Sequence, residues 1–128
     1  MRYLIDSDRV ADYLKGRPQE RTLLAELVPA GLAISIITFA EIYEGIYFGR
    51  DSQAHEQGFR NFLEGVTVLG LNREVARRYA RIRGELRQQR ITIDQPDLFI
   101  AATAIVHVLT LVTRNIRDFN RLPGLPIY

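Results

Sequence analysis

The chain has 128 residues, of which 47% are hydrophobic and 25% charged, proportions typical of one soluble globular domain spanning residues 1–128. It contains no cysteine, which excludes disulfide bonds and thiolate metal sites, and no apolar run reaches the ~20 residues of a membrane span. The formal net charge is only +2, but Lys15 is the single lysine among 17 basic residues, so arginine supplies nearly all of the positive charge.

The first half of the chain alternates short apolar strands with helices. The opening run is read as a strand buried on both faces because it lacks polar alternation. Ser7 or Asp8 is expected to cap the first helix, and the Lys15–Pro18 segment to end it. The predicted elements are a strand at 3–6, a helix through Val10 to Leu14, a helix at 19–28, a strand at 32–36 and a helix at 39–48.

The second half continues the alternation and contains a long amphipathic helix. Asn72 is expected to cap this helix, whose apolar residues recur with 4-3-4 spacing. The other predicted elements are a helix at 51–64, a strand at 66–69, a helix from Pro96 to about Val106 capped by Asp94, a strand at 109–113 and a terminal strand around 127–128. Alternating strands and helices predict an α/β fold with a central, mostly parallel sheet and helices on both faces.

Four acidic residues stand at strand ends or helix starts: Asp6, Glu41, Asp97 and Asp118. The carboxyl ends of parallel strands share one edge of a sheet, and ligands bind there. Four carboxylates gathered at that edge would form an oxygen-ligand site for a hard divalent cation.

Helix capping is the competing explanation for three of these acids. The capping-box spacing, in which an acid reaches back to the cap residue, is matched by Thr38-x-x-Glu41, Asp94-x-x-Asp97 and Asn115-x-x-Asp118. Asp6 is harder to explain in this way, because an acid at the end of a buried strand is costly to desolvate unless it is paired or binds a metal. It could still cap the next helix, although Ser7 and Asp8 already offer that role. The occurrence of all four acids at one edge favours the metal site.

The order and spacing of four segments resemble the PIN-domain family, and most closely its VapC-type toxins. The resemblance covers essentially the whole chain, and the third segment is its most specific part. The segments are Tyr3-Leu4-Ile5-Asp6-Ser7-Asp8, Ser35-x-x-Thr38-x-x-Glu41, Asp97-x-x-Ile100-Ala101-Ala102-Thr103-Ala104, and Thr113-Arg114-Asn115-x-x-Asp118-Phe119-x-x-Leu122-Pro123-Gly124-Leu125. Two positions depart from the family pattern. Asp8 replaces a common Asn and is expected to cap a helix, and Asn115 stands where some members have an acid, so Asn115 and Asp118 are both candidates for the fourth site position.

The resemblance implies a PIN-like three-layer sandwich and a metal-dependent endoribonuclease that uses Mg²⁺ or Mn²⁺. Asp6 and Asp97 would be the main metal ligands, and Glu41 and Asp118 would complete the catalytic set partly through water. Ser7, Thr38 and Asn115 would support these acids. Thr38 could position Glu41 or cap a helix, and both roles stay open.

The resemblance also implies an RNA substrate, a cognate VapB-like antitoxin and a homodimer. Arg114, Arg117 and Arg121 are candidates for RNA phosphate contacts, with surface ion pairs as the alternative for each. The arginine-rich composition suits such a substrate, although genomic base composition or thermal adaptation would explain it equally well. The short apolar run at the start of the chain does not match a secretory signal, so we expect a cytoplasmic protein.

Two other functions are compatible with parts of the sequence. A haloacid-dehalogenase-like phosphatase would use Asp6 as a nucleophile, but it needs a supporting lysine, and Lys15 lies in a predicted turn. A receiver domain lacks its lysine in the same way. A PIN-like RNA-binding module with a degenerate site is the non-enzymatic alternative, and the complete set of four acids argues against it.

Overall fold

The central sheet is built from four short strands in a computed structural model that describes residues 1–128. The strands are β1 (Tyr3–Ile5), β2 (Leu32–Ser35), β3 (Val66–Leu69) and β4 (Thr110–Val112). All of them pair in parallel, and their order across the sheet is β3-β2-β1-β4. The predicted terminal strand is reduced to one parallel bridge between Leu111 and Ile127.

Seven helices connect and cover the strands. They are α1 (Ser7–Leu14), α2 (Pro18–Leu27), α3 (Ile36–Tyr47), α4 (Ser52–Leu63), α5 (Arg73–Gln88), α6 (Gln95–Val106) and α7 (Ile116–Phe119), and a 3-10 turn (Val28–Ala30) follows α2. None of the helices is both long and apolar enough to cross a membrane.

The side chains of β1, β2 and β4 are largely buried on both faces, whereas the edge strand β3 is partly exposed. In β1, Leu4 belongs to the core on the α5 and α6 side, whereas its neighbour Ile5 belongs to the core on the side of α1 to α4. Ala33 and Ile34 of β2 divide between the two cores in the same way. Since successive side chains of a strand point to opposite faces, this division shows a helix–sheet–helix sandwich. The predicted three-layer α/β fold with a parallel sheet is confirmed.

Two predicted helix caps were wrong. Asp6 is the N-cap of α1, and its side chain accepts a hydrogen bond from the Ser7 N–H group, so neither Ser7 nor Asp8 has that role. Helix α3 begins three residues earlier than predicted, because the Ser35 side chain caps it by accepting from the Ile37 N–H group. Thr38 therefore lies inside the first turn of α3, and the capping-box explanation of Glu41 fails.

The strand order creates a switch point between β1 and β4. From β1 the chain moves outward to β2 and β3, and then α5 and α6 carry it back to the other side of β1. In open α/β sheets, ligands bind outside the carboxyl ends of the strands at such a reversal. A ligand site is therefore expected at the residues that follow β1 and β4.

Candidate active site

Asp6 lies at the centre of this edge, directly after β1. It is only 5% exposed, and both of its carboxylate oxygens accept hydrogen bonds. Oδ1 accepts from the Ser7 N–H group at 2.7 Å, and Oδ2 accepts from the Thr113 hydroxyl at 2.7 Å. Thr113 follows β4, and its Oγ1 also accepts from the Asn115 N–H group at 2.9 Å. These bonds join the ends of β1 and β4 at the switch point.

Glu41 is connected to the same edge through a pair of hydroxyl groups. Ser7 Oγ lies 2.7 Å from Glu41 Oε1 and 2.9 Å from Thr38 Oγ1. Because a hydroxyl has one proton, Ser7 donates to the carboxylate and accepts from Thr38. Thr38 is completely buried, whereas Glu41 is exposed on α3. Thr38 is therefore connected to Glu41 only through the Ser7 hydroxyl.

Asp97 and Asp118 approach each other from different helices. Asp97 is in the first turn of α6 and Asp118 in α7, and both are partly buried. Asn115 Nδ2 lies between them, 3.3 Å from Asp118 Oδ2 and 3.5 Å from Asp97 Oδ2. Both candidates for the fourth position are therefore present at this edge, with the amide of Asn115 bridging the two carboxylates.

The electrostatics of the site are dominated by negative charge. Burial raises the pKa of Asp6 to about 6, with repulsion from Asp8 and Asp97, and the hydrogen bonds from Thr113 and Ser7 only partly oppose this. Burial also raises the pKa of Asp97 to about 6, and the charges of Asp94, Glu41, Asp118 and Asp8 raise it further. No basic side chain lowers either pKa. The site consequently holds carboxylates that lack a compensating cation.

These side chains suit a hard divalent cation by their chemistry. All the potential ligands are oxygens, and the excess negative charge is of the kind that a bound cation relieves. No three of the acids form a compact ligand group by themselves. Mg²⁺ needs only one or two carboxylates, since it retains several water molecules, so the pair Asp6 and Asp97 would be sufficient.

A network of ion pairs beside the site was not anticipated from the sequence. Arg114 NH2 lies 3.1 Å from Asp12 Oδ2, and the Arg114 N–H group donates to Asp8 Oδ2 at 3.1 Å. Asp12 is only 6% exposed, and its Oδ1 also lies 3.2 Å from the Nε of Arg17. The network fixes the loop after β4 against α1. Asp8 therefore anchors this loop instead of capping a helix.

The three arginines predicted to contact RNA differ in their surroundings. Arg114 is engaged by Asp8 and Asp12, so the structure favours the ion-pair alternative for this residue. Arg117 and Arg121 are exposed and form no ion pair. The only sequence signal for the ion-pair network was the spacing of Asp8 and Asp12, which places both on one face of α1. That spacing did not indicate which basic residue would pair with them.

Sequence and structure comparisons agree on one family. The model of the family described as PIN domain matches residues 3–125. A ribonuclease VapC1 from Methanocaldococcus jannaschii is 34% identical over 127 residues, which cover 98% of this chain and 85% of the relative. A ribonuclease VapC2 from Haemophilus influenzae is 30% identical over 125 residues, covering 98% of this chain and 95% of the relative.

Solved structures with the same fold include toxin–antitoxin complexes. VapBC2 from Rickettsia felis, bound to a DNA fragment from its promoter, contains a chain with a TM-score of 0.93 and 28% identity, and the match covers 100% of this chain and 98% of that one. DNA-bound VapBC from Salmonella typhimurium gives a TM-score of 0.92 at 25% identity, covering 100% and 97% of the two chains.

Proposed function

The chain belongs to the PIN-domain family, and we propose that it is a metal-dependent endoribonuclease acting as the toxin of a VapBC-type toxin–antitoxin pair. The observation that carries this proposal is the pair Asp6 and Asp97, two carboxylates at the switch point of the sheet whose pKa values are both raised to about 6, with the charge of Asp97 contributing to the shift of Asp6. Relatives named as VapC ribonucleases match almost the full length of the chain, which supports the same activity.

Asp6 and Asp97 are the proposed ligands of the cation, which we take to be Mg²⁺ or Mn²⁺. Such a cation supplies charge stabilisation at a phosphoryl oxygen and increases the acidity of a water molecule. The protein holds Asp6 in place through Thr113 and the Ser7 backbone, so this carboxylate cannot rotate away when the site is loaded.

The remaining acids are proposed to orient the attacking water molecule and to accept its proton. Glu41 is exposed and held by Ser7, so its carboxylate is free to accept a proton from a water molecule that attacks the scissile phosphorus. A new P–O bond forms with the water oxygen as the bond to the leaving ribose oxygen breaks, and that oxygen takes up a proton from solvent water. Asp118 and Asn115 are proposed to orient this water from the opposite side.

The phosphatase alternative receives no support from the site. Lys15 is exposed at the end of α1 and cannot supply the buried supporting lysine.

The partners follow from the family. The solved neighbours are VapBC complexes, and we propose that a VapB-like antitoxin encoded with this chain inhibits it. A homodimer and a cytoplasmic location are further parts of the proposal. Arg117 and Arg121 are the better-placed of the predicted RNA contacts, because neither is occupied by a carboxylate.

Cleavage of total cellular RNA by the purified, antitoxin-free protein, followed by mapping of the new ends, tests the activity. We expect discrete cuts with Mg²⁺ or Mn²⁺, no cuts with a chelator, and no cuts by Asp97→Asn. The matched control is Asp94→Asn, which removes the same charge at an exposed position whose side chain makes no capping bond, and which should still cleave.

The fold of the inactive variant must be verified by thermal unfolding. Asp97→Asn should be at least as stable as the natural protein, because ionisation of Asp97 is unfavourable in the folded state. Cleavage by a folded Asp97→Asn variant would refute the proposed site. Metal-independent RNA binding without cleavage under any condition would indicate the degenerate binding module instead.

A further inference from the structure

The proposed active site cannot attract RNA by its own charge. Its edge carries several carboxylates, and the basic side chain beside it, Arg114, is already paired with Asp8 and Asp12. An RNA strand is a polyanion, and its binding to proteins depends mainly on arginine and lysine contacts to phosphates. The positive surface that holds the substrate must therefore lie beside the site and not within it.

Helix α5 is the strongest concentration of positive charge in the protein. It contains six arginines and two glutamates, a net charge of +4. The whole chain has a formal net charge of +2, so the residues outside α5 sum to −2. Electrostatic attraction for a polyanion is thus concentrated on this helix.

A cleft of about 220 Å³ lies between α5 and the segment that follows α7. Arg78 and Arg81 line it from α5, and Arg121 lines it from the opposite wall. Glu85, the partner of Arg81, also lines it, and Ile105 contributes apolar surface from the last turn of α6. We call this feature the arginine cleft.

The cations of the arginine cleft are available for a ligand. Arg78 and Arg121 are exposed and form no ion pair. Arg81 pairs only with Glu85 at 3.7 Å, and their side chains are 78% and 55% exposed, so solvent weakens this pair. Guanidinium groups form bidentate hydrogen bonds with phosphate, which makes three of them around one cleft a suitable phosphate site.

The arginine cleft adjoins the acidic site through α7. The Arg121 N–H group donates a hydrogen bond to the Asp118 carbonyl at 3.2 Å, so the two residues are one turn apart. Asp118 in turn contacts Asn115 at the site itself. From Arg121 the cleft extends toward the C-terminal end of α6, where Ile105 lines it about 12 Å along the helix from Asp97. A strand of RNA whose scissile phosphate lies at the acids can therefore place phosphates farther along its backbone in the cleft.

We propose that the arginine cleft, formed by Arg78, Arg81 and Arg121, binds backbone phosphates of the RNA substrate on one side of the scissile bond. This inference rests on the proposed ribonuclease function. No aromatic ring lines the cleft, so it offers no stacking platform for bases. It should accordingly bind RNA with little sequence preference and with a strong dependence on salt.

Fluorescence anisotropy with a labelled single-stranded oligouridine RNA tests the proposal. Binding is measured in chelator, so that no cleavage occurs, over a series of salt concentrations. The double variant Arg78→Ala/Arg121→Ala should bind about tenfold more weakly, and the slope of log K against log salt should fall by about 1.4 for two lost contacts. The matched control is Arg77→Ala/Arg87→Ala, which removes two exposed arginines of α5 that do not line the cleft.

The inference is supported only if the affinity for RNA falls more in Arg78→Ala/Arg121→Ala than in the control variant. Equal losses would show that affinity follows total charge, and unchanged binding by the cleft variant would show that the arginines do not contact RNA; either result overturns it. Thermal unfolding of both variants verifies that they are folded. If the natural protein cleaves RNA while the cleft variant binds normally, this inference fails and the proposed function stands. If binding depends on the cleft but no RNA is ever cut, the proposed function fails.

Discussion

The hydroxyl of Thr113 should stabilise the protein more when Asp6 is ionised than when it is protonated. Thr113 is completely buried, and its hydroxyl donates to Asp6 Oδ2 at 2.7 Å. Thr113→Val replaces this hydroxyl with a methyl group and leaves the side chain nearly the same shape. Asp6 then loses its only side-chain donor while it is still 5% exposed.

The expected magnitudes follow from the charge of the acceptor. A hydrogen bond to a charged group contributes about 1.5–3 kcal/mol to stability, and one between neutral groups about 1 kcal/mol. Asp6 has a pKa of about 6, so it is ionised at pH 8 and mostly protonated at pH 5. The variant should therefore lose about 2–3 kcal/mol at pH 8 and about 1 kcal/mol at pH 5. The Asn115 N–H group loses an acceptor at both pH values, which adds a constant amount.

The direction in which the stability deficit of Thr113→Val changes with pH agrees with proton linkage. Removing a donor that favours the carboxylate raises the pKa of Asp6 in the folded state above its present value of about 6. The folded variant then binds a proton more tightly than the folded natural protein does. Its deficit in unfolding free energy consequently grows as the pH rises through this range.

Urea unfolding of both proteins at pH 5 and pH 8, in chelator, measures the two deficits. Thr103→Val is the matched control, because the buried Thr103 hydroxyl donates at 2.8 Å to the neutral carbonyl of Phe99. Its deficit should be the same at both pH values. An equal deficit for Thr113→Val at pH 5 and pH 8 would refute the assignment of this bond to an ionised Asp6.

Three further predictions concern the charge and strain of the chain. In chelator, Asp6 alone should lower the unfolding free energy of the natural protein by about 2 kcal/mol between pH 4 and pH 6, out of about 3 kcal/mol in total, because its pKa is raised from 3.8 to about 6 and the folded state binds the proton more tightly. A flat urea-unfolding profile would contradict this. Asp8→Asn keeps an acceptor for the Arg114 N–H group but removes a charge that raises the pKa of both Asp6 and Asp97. The acid limb of its pH–rate profile for RNA cleavage should therefore move to lower pH. An unmoved limb would show that this repulsion is negligible. Val108 is 88% exposed with a left-handed φ of 56°, so Val108→Gly should raise the unfolding free energy by about 1 kcal/mol, and a lower thermal midpoint would contradict the strain.

The strands and most helices could be predicted because their signals are local. The apolar runs at β1 and β2 lack polar alternation, which is the pattern of strands buried on both faces. Asn72 was predicted to cap α5, and its side chain accepts from the Val75 N–H group at 2.9 Å. In each case a few neighbouring residues determine the structure.

The start of α3 could not be predicted because the local pattern offered two caps. Ser35 and Thr38 are both good N-cap residues, and only the second lies at capping-box distance from Glu41. In the structure the Thr38 hydroxyl is hydrogen-bonded to Ser7, which approaches it from α1. Contacts between residues so far apart in the chain, like that of Asp12 with Arg114, leave no local signature.

The position of the site depends on the strand order, which the alternation of strands and helices does not specify. If β4 lay beyond β3, it would be about 14 Å from β1, three strand spacings away. Thr113 could then not reach Asp6, and the loop with Asn115 and Asp118 would also be separated from Asp6. The return of the chain through α5 and α6 prevents this, since it places β4 next to β1. Because α5 belongs to that same return, the crossover that assembles the carboxylates also brings the arginines of the cleft beside them.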